Sequence, residues 1–265
     1  MIISASRRTD LPNYHAQWFC ERIKEGYVDV KNPMNPKQIR RVSLSPDEVD
    51  CIVFWTKNPE PMMARLDELA AYPYYFQFTL TGYGKDIEPH VPHKKEKMIP
   101  IFQRLSDKIG SERVIWRYDP IMFNKMYTPE YHINAFGQIA EALNGYTEKC
   151  VISFVDEYVK NKKELKALGV YEPEETQLFA FAEKLAQAAG ENHMQIASCA
   201  EAVDLSGCGI THNCCIDPEL IARITGRTLK AVKDRNQRKE CGCAASVDIG
   251  AYHSCGNGCR YCYAR

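Results

Sequence analysis

The sequence predicts an α/β protein, a parallel (βα) barrel followed by a cysteine-rich C-terminal segment, and three observations lead there. Short β-rich runs alternate with helix-like stretches along the chain, the order that repeated βαβ units produce. The runs are apolar on consecutive residues, as in strands covered on both faces. Most of them end in charged or reactive side chains. An open doubly wound sheet is the competing arrangement, but a barrel gathers strand ends on one face, where its site lies.

The strand candidates are 2–6 (IISAS), 51–57 (CIVFWTK), 74–81 (YYFQFTLT), 114–120 (VIWRYDP), 150–157 (CVISFVDE) and 194–201 (MQIASCAE). Residues 58–72 read as a helix with its prolines in the first turn, where no intrahelical N–H is lost. Residues 91–110 read as a helix broken near Pro100. Thr128-Pro129-Glu130 opens a helix over 128–146, with a cap and a proline at the first helical position. Leu178, Phe181, Leu185 and Ala188 give 172–192 its helical spacing. Asp217-Pro218-Glu219 starts another over 217–230. The long connection 27–50 is expected to be a lid or an ordered excursion. The stretch 223–239 carries seven basic residues against one acid; it reads as a solvated face or an anion-binding patch.

The chain has 265 residues, with 34 Lys+Arg balancing 34 Asp+Glu and 45% hydrophobic residues. That composition supports a sizeable core and excludes a mainly disordered chain. Zero net charge argues against a generic polyanion binder. No apolar run is long enough for a membrane span, and MIISASRRTD lacks the layout of a secretory signal. A cytoplasmic protein without membrane contact is the expectation.

Nine of the twelve cysteines fall between Cys199 and Cys262. A secreted disulfide scaffold spreads its cysteines through a small domain. A cysteine-poor body with a dense tail points instead to metal or iron–sulfur ligation. The division expected is a barrel body over 1–198 and a segment over 199–265 that packs at the barrel mouth and completes the barrel. Cys255, Cys259 and Cys262 are spaced C-x3-C-x2-C, with Tyr261 before the third. Three thiolates can hold three irons of a [4Fe–4S] cluster and leave the fourth without a protein ligand. Zinc on the three thiolates and a fourth ligand such as His253 stays open. Asp119 and Glu157, at strand ends, are candidates for moving protons. His90 and His93 read as surface residues, and Cys20, Cys51 and Cys150 as buried free thiols.

The run CGNGCRYCYAR resembles the cysteine loop of the radical-SAM superfamily, and in particular its spore photoproduct lyase branch. In that family the loop follows the first barrel strand; here it comes late. The other segments match in order, with IISASRRTD resembling the second strand, IVFWTKNP the third, YFQFTLTGYGKDIEP the fourth and VIWRYDPI the fifth. The chain thus resembles a permuted radical-SAM protein, a TIM-like partial (βα) barrel in which 245–252 (ASVDIGAY) is the strand feeding the cysteine loop. It also resembles, over its whole length, an uncharacterised bacterial family defined by a C-terminal cysteine cluster. A barrel strand of this kind continues into a helix, so a natural chain running past Arg265 is expected.

The resemblance implies an enzyme that cleaves S-adenosylmethionine (SAM) reductively to a 5′-deoxyadenosyl radical. Its partners would be a small-molecule or nucleotide substrate and a reductant such as flavodoxin or ferredoxin. It implies cofactor contacts at Lys57, Thr79 and Arg117, with Arg7, Arg8, Asp10 and Tyr261 near SAM or substrate. The related family's pattern also implies a second, auxiliary [4Fe–4S] cluster on Cys199, Cys215, Cys241 and Cys243, with zinc as the competitor. The alternative class is a non-catalytic iron–sulfur protein for electron transfer or redox sensing, or a zinc-binding protein.

Overall fold

The computed structural model describes residues 1–264; Arg265, the last residue of the expected cysteine-rich segment, lies outside the described residues. β1 (Ile2–Ala5) leads through the single turn α1 (Leu11–Tyr14) into α2 (Ala16–Glu25). β2 (Tyr27–Asn32) and β3 (Asn35–Ser43) pair as an antiparallel hairpin. β4 (Cys51–Thr56) is followed by α3 (Glu60–Met63), β5 (Tyr74–Thr79) by α4 (Ile99–Ile109), and β6 (Val114–Ile121) by α5 (Pro129–Ala142). Then come β7 (Lys149–Phe154), α6 (Lys162–Ala167), α7 (Glu175–Glu191), β8 (Gln195–Ser198), β9 (Thr211–His212), α8 (Pro218–Thr225) and β10 (Val247–Asp248).

Eight strands form one parallel sheet in the order β10-β1-β4-β5-β6-β7-β8-β9. The late strand expected over 245–252 is there as β10, and it pairs with β1 through Ile3–Val247 and Ser4–Asp248. The sheet is open, with β9 and β10 at its two ends, so the architecture is α/β with a large parallel sheet.

Alternation along the strands sorts the side chains onto two faces. On one, Ile3, Phe54, Phe76, Phe78, Trp116 and Ile152 meet the helices. Aromatic pairs bind the layers there, with ring centroids 5.3 Å apart for Phe19–Phe54, 4.9 Å for Phe78–Phe102 and 4.7 Å for Trp116–Phe136. Burying each such ring stabilises the fold by roughly 2–3 kcal/mol. On the other face, Ile2, Cys51, Val53, Tyr75, Ile115 and Val151 pack against Cys215, Ile216, Leu220, Ile221, Cys241 and Cys243. Part of the cysteine-rich segment therefore packs on this inner face.

Local signals explain most helix starts. The Thr128 hydroxyl accepts from the Tyr131 N–H at 3.2 Å with Pro129 at the first position. Asp217 accepts from the Glu219 and Leu220 N–H groups at 2.9 and 3.2 Å, and α8 ends at Gly226 with φ +68. Two helix expectations need correction. The run 58–72 is broken into α3 and a short 3₁₀ turn at Leu66–Leu69, and 91–110 enters α4 through a π turn at Lys94–Met98. Pro100 sits in the first turn of α4, so it opens that helix instead of breaking one. The connection 27–50 is ordered as the β2–β3 hairpin.

Candidate functional site

Alternation also builds the site. On the inner face the residues near the strand starts are apolar. Farther along the same face stand Trp55, Thr79, Arg117, Asp119, Ser153 and Cys199, and all of them line a cavity of ≈ 910 Å³. Arg7, Arg8 and Asp10 reach it from the end of β1, and Lys57 from the end of β4. Cys255, Cys259, Tyr261 and Cys262 line it from the far loop, and Cys199, Cys215, Cys241 and Cys243 from the inner wall. Six Lys or Arg and four Asp side chains face this space, a balance that suits an anionic occupant.

Fifteen of the sixteen residues singled out from the sequence thus meet at one cavity. Glu157 is the exception: its side chain is exposed, pairs with Lys162 at 2.7 Å and does not line the cavity. Glu157 is thus the one site candidate that the structure does not bring to the cavity wall.

The loop carrying Cys255, Cys259 and Cys262 is held from several sides. Asp10 is buried and accepts from Thr56 Oγ1 at 2.7 Å, Lys57 N–H at 2.8 Å, Asn257 Nδ2 at 2.9 Å and Asn13 N–H at 3.2 Å. Burial pushes its pKa up, and these donors offset that only in part. Four donors fill a carboxylate's accepting positions, so Asp10 ties the loop to the ends of β1 and β4 and has little left for a ligand. Tyr14 adds a hydroxyl to Asn257 at 3.0 Å. His15 Nε2 donates to Ser254 O at 3.0 Å and His90 Nδ1 to Gly256 O at 2.7 Å. His90 therefore clamps the loop although its ring is exposed, which no spacing in the sequence signalled. A Cβ added at Gly256 would stand 2.8 Å from the Tyr14 ring.

Behind the loop lies a buried ion network. Glu88, fully buried, accepts from Lys57 Nζ at 2.7 Å and from Thr81 Oγ1 at 3.0 Å, and also from Lys94 and the Tyr261 hydroxyl. Loss of water raises the Glu88 carboxyl pKa, but the Lys57 and Lys94 ammoniums outweigh that and hold it well below the usual range. Lys57, expected at a SAM carboxylate, is thus already paired with Glu88, and its charge also lies against Cys259. Burial pushes the Cys259 thiol up to about 12, and the nearby Lys57 charge opposes this.

Arg117 is buried, with Nη1 2.8 Å from Cys215 Sγ and 3.3 Å from Gln77 Oε1, and its Nη2 pairs with Asp119. Burial raises the Asp119 pKa, but the Arg117 charge, then the Ser153 hydroxyl, bring it below the ordinary carboxylate range. Arg7 and Arg117 both lie over the Trp55 ring, at 5.0 and 5.1 Å. Asp248, which sequence reasoning missed, accepts from Ser4 Oγ, Ser6 Oγ, Arg7 N–H and Gly250 N–H at 3.1, 2.6, 2.8 and 3.0 Å. It locks the start of the chain to β10. Only its position in β10, beside β1, could have marked it.

All twelve cysteines are free thiols. Cys20, Cys51 and Cys150 are buried as expected, and Cys208 packs near Phe179 O away from the cavity. Among the described residues, no three or more His, Cys, Asp or Glu side chains are drawn together to hold a single ion. His253 does not line the cavity, which leaves the zinc set on the C-terminal loop without the fourth ligand expected. Three free thiols on one glycine-containing loop, facing a shared hollow beside cations, are the donor set that three irons of a cluster take.

A family model described as a domain of unknown function, DUF1848, matches residues 2–264. Searches of curated proteins and of solved structures found no match. Among the described residues no helix is long and apolar enough to cross a membrane.

Proposed function

We propose that this chain, which belongs to the DUF1848 family, is a radical-SAM enzyme acting on a small-molecule or nucleotide substrate. The observation that carries the reading is the convergence of Cys255, Cys259 and Cys262 with Arg117, Thr79 and Asp119 on one cavity at the ends of parallel strands. A (βα) barrel relationship would account for that convergence. Cys255, Cys259 and Cys262 would hold a [4Fe–4S] cluster. When bound and reduced, such a cluster supplies one electron that breaks the sulfonium C–S bond of SAM, giving methionine and a 5′-deoxyadenosyl radical.

The chain's own residues have separate tasks. Arg117 offers a fixed cation for the methionyl carboxylate, stronger in a dry cavity than in water. Thr79, at the end of β5, offers a hydroxyl. Lys57 acts from behind, through its charge beside Cys259. Tyr261 joins the loop to Glu88, so it positions the third cysteine. Asp119, held ionised by Arg117, would move a proton only once a bound substrate draws that guanidinium away. The cavity walls exclude water from a radical that would otherwise be quenched.

The test is anaerobic reconstitution with iron and sulfide, reduction, and assay for 5′-deoxyadenosine and methionine from SAM. The wild-type chain should release both. The Cys255→Ala, Cys259→Ala, Cys262→Ala variant should release neither. Cleavage surviving in that variant, or a wild-type protein that takes up iron and sulfide yet never cleaves SAM, would overturn the proposal in favour of an electron carrier.

A further inference from the structure

The β2–β3 hairpin and the β10 end of the sheet enclose a second hollow, for which the proposed SAM chemistry has no use. It is a groove of ≈ 330 Å³, lined by residues of both hairpin strands and by Ser246, Val247 and Asp248. Val30, Val42 and Val247 give it apolar walls. Three cations line it, Arg8, Lys31 and Arg40, against a single acid, Asp248.

The hairpin's alternation shows that the cations are not simply solvated. Val28 stands opposite Val42 and Val30 opposite Arg40, so these four share one face. Val28 and Val42 are buried and Val30 packs against the core, which makes this the inward face. An arginine there breaks the apolar pattern. On the outward face Arg41 is matched across the strands by Asp29 at 2.8 Å; Arg40 has only Val30 opposite. The register shifts between Lys31 and Asn32, a bulge of the kind that re-aims a side chain, and Lys31 lines the same groove. Neither Lys31 nor Arg40 has an ion pair among the described residues.

Asp248 does not neutralise them. Ser4 Oγ, Ser6 Oγ and the N–H groups of Arg7 and Gly250 already fill its accepting positions. Arg8 Nε stands 3.9 Å from it. Ser246 Oγ is buried without a hydrogen-bond partner, a hydroxyl that packing alone leaves unexplained. Cations that share one hollow repel one another, and a bound anion removes that cost. A carboxylate brings a single charge, whereas a phosphate ester brings about two and more acceptor oxygens. The second matches three cations and a spare hydroxyl.

We propose that this groove binds a small phosphate ester, its phosphate held by Arg8, Lys31 and Arg40 and its organic part against the valines. Arg8 and Asp248 also line the main cavity, so the groove adjoins the proposed active site. The assignment does not depend on SAM chemistry.

The test is isothermal titration of the full chain, at fixed ionic strength, with phenyl phosphate, phenol and inorganic phosphate. Phenyl phosphate should bind, inorganic phosphate should bind more weakly and phenol should not bind. Lys31→Met and Arg40→Met should each weaken phenyl phosphate binding by about tenfold. Both side chains are exposed, so the variants should fold, which circular dichroism checks. Lys37→Met removes a hairpin cation that does not line the groove and should leave binding unchanged. Equal weakening by Lys37→Met would reduce the effect to general charge attraction and overturn the proposal. Phenol binding as well as phenyl phosphate, or inorganic phosphate binding as well as the ester, would overturn it too. So would tighter binding of a single-stranded oligonucleotide that Lys37→Met weakens as much as Arg40→Met does. The Cys255→Ala, Cys259→Ala, Cys262→Ala variant should bind phenyl phosphate like the wild type. Absence of SAM cleavage would break the reading of the C-terminal loop and leave this one standing.

Discussion

The two thiol groups that share the cavity are built in opposite ways. Cys255, Cys259 and Cys262 come from one short loop, pinned at its backbone by His15 and His90 and through the Asn257 side chain by Asp10. Their charged support stands behind the loop, in Lys57, Glu88 and Lys94. Cys199, Cys215, Cys241 and Cys243 come from distant stretches, and Arg117 and Asn213 donate directly to a sulfur. A loop fixed by its backbone can offer three sulfurs and keep an approach open. A wall fixed through its sulfurs leaves them little room to turn. The contrast teaches that cysteine count alone does not set a site's role; what secures the sulfurs does.

The change expected to separate the two most is Glu88→Gln. It leaves Lys57 and Lys94 buried without their counter-charge, which costs about 3–5 kcal/mol. Urea unfolding should show that loss, and SAM cleavage should fall with it at temperatures where the variant is folded. Cleavage unchanged in the folded variant would end the distinction drawn here.

Arg117→Met probes the cavity wall instead. It strands Asp119 in the cavity and removes a donor from Cys215, at about 2–3 kcal/mol. SAM cleavage should fall through weaker SAM binding, a raised KM for SAM, because this guanidinium is the one proposed for the methionyl carboxylate.

A third expectation concerns the scaffold both share. His132 is fully buried, donates from Nε2 to Met122 O at 3.0 Å and meets the Tyr118 hydroxyl at 2.8 Å. Burial pushes its pKa down from 6.5 to about 4. Between those values the unfolded chain binds the proton and the folded one does not, so stability falls as pH drops through that window. The fall amounts to about 3 kcal/mol at most. His132→Gln should flatten the pH profile of unfolding there, and an unchanged slope would assign the effect to other groups.

The smallest effect is expected at Gly256→Ala. Its new Cβ would meet the Tyr14 ring at 2.8 Å, but that ring is 41% exposed and can swing aside. The cost should be about 1 kcal/mol, and adding Tyr14→Ala should relieve it in a double-mutant cycle.

The parallel strands were legible because each is a buried apolar run, from Ile2 to Ile196, with little competition from other structure. The joining of β10 to β1 was legible too, through the order of the matching segments. The short α1 and α6, the two-residue β9 and the β2–β3 hairpin were not: they form through tertiary contacts that no local periodicity records. The same holds at the site. The cysteines announced themselves by spacing, whereas Glu88, Asp248, His15 and His90 act through partners far away in sequence. Asp10 and Lys57 were found by position, but their partners changed their meaning. A residue's place at a strand end does not say whether a carboxylate is already satisfied.

The pairing of β1 with β10 has a consequence for biogenesis. While the ribosome is still extending the nascent polypeptide, Ile2–Ala5 can acquire β4 early, yet its other margin has no neighbour until residues 247–248 emerge. An exposed margin of that kind invites mispairing with another chain. That margin of β1 therefore stays unpaired until nearly the whole chain has been made.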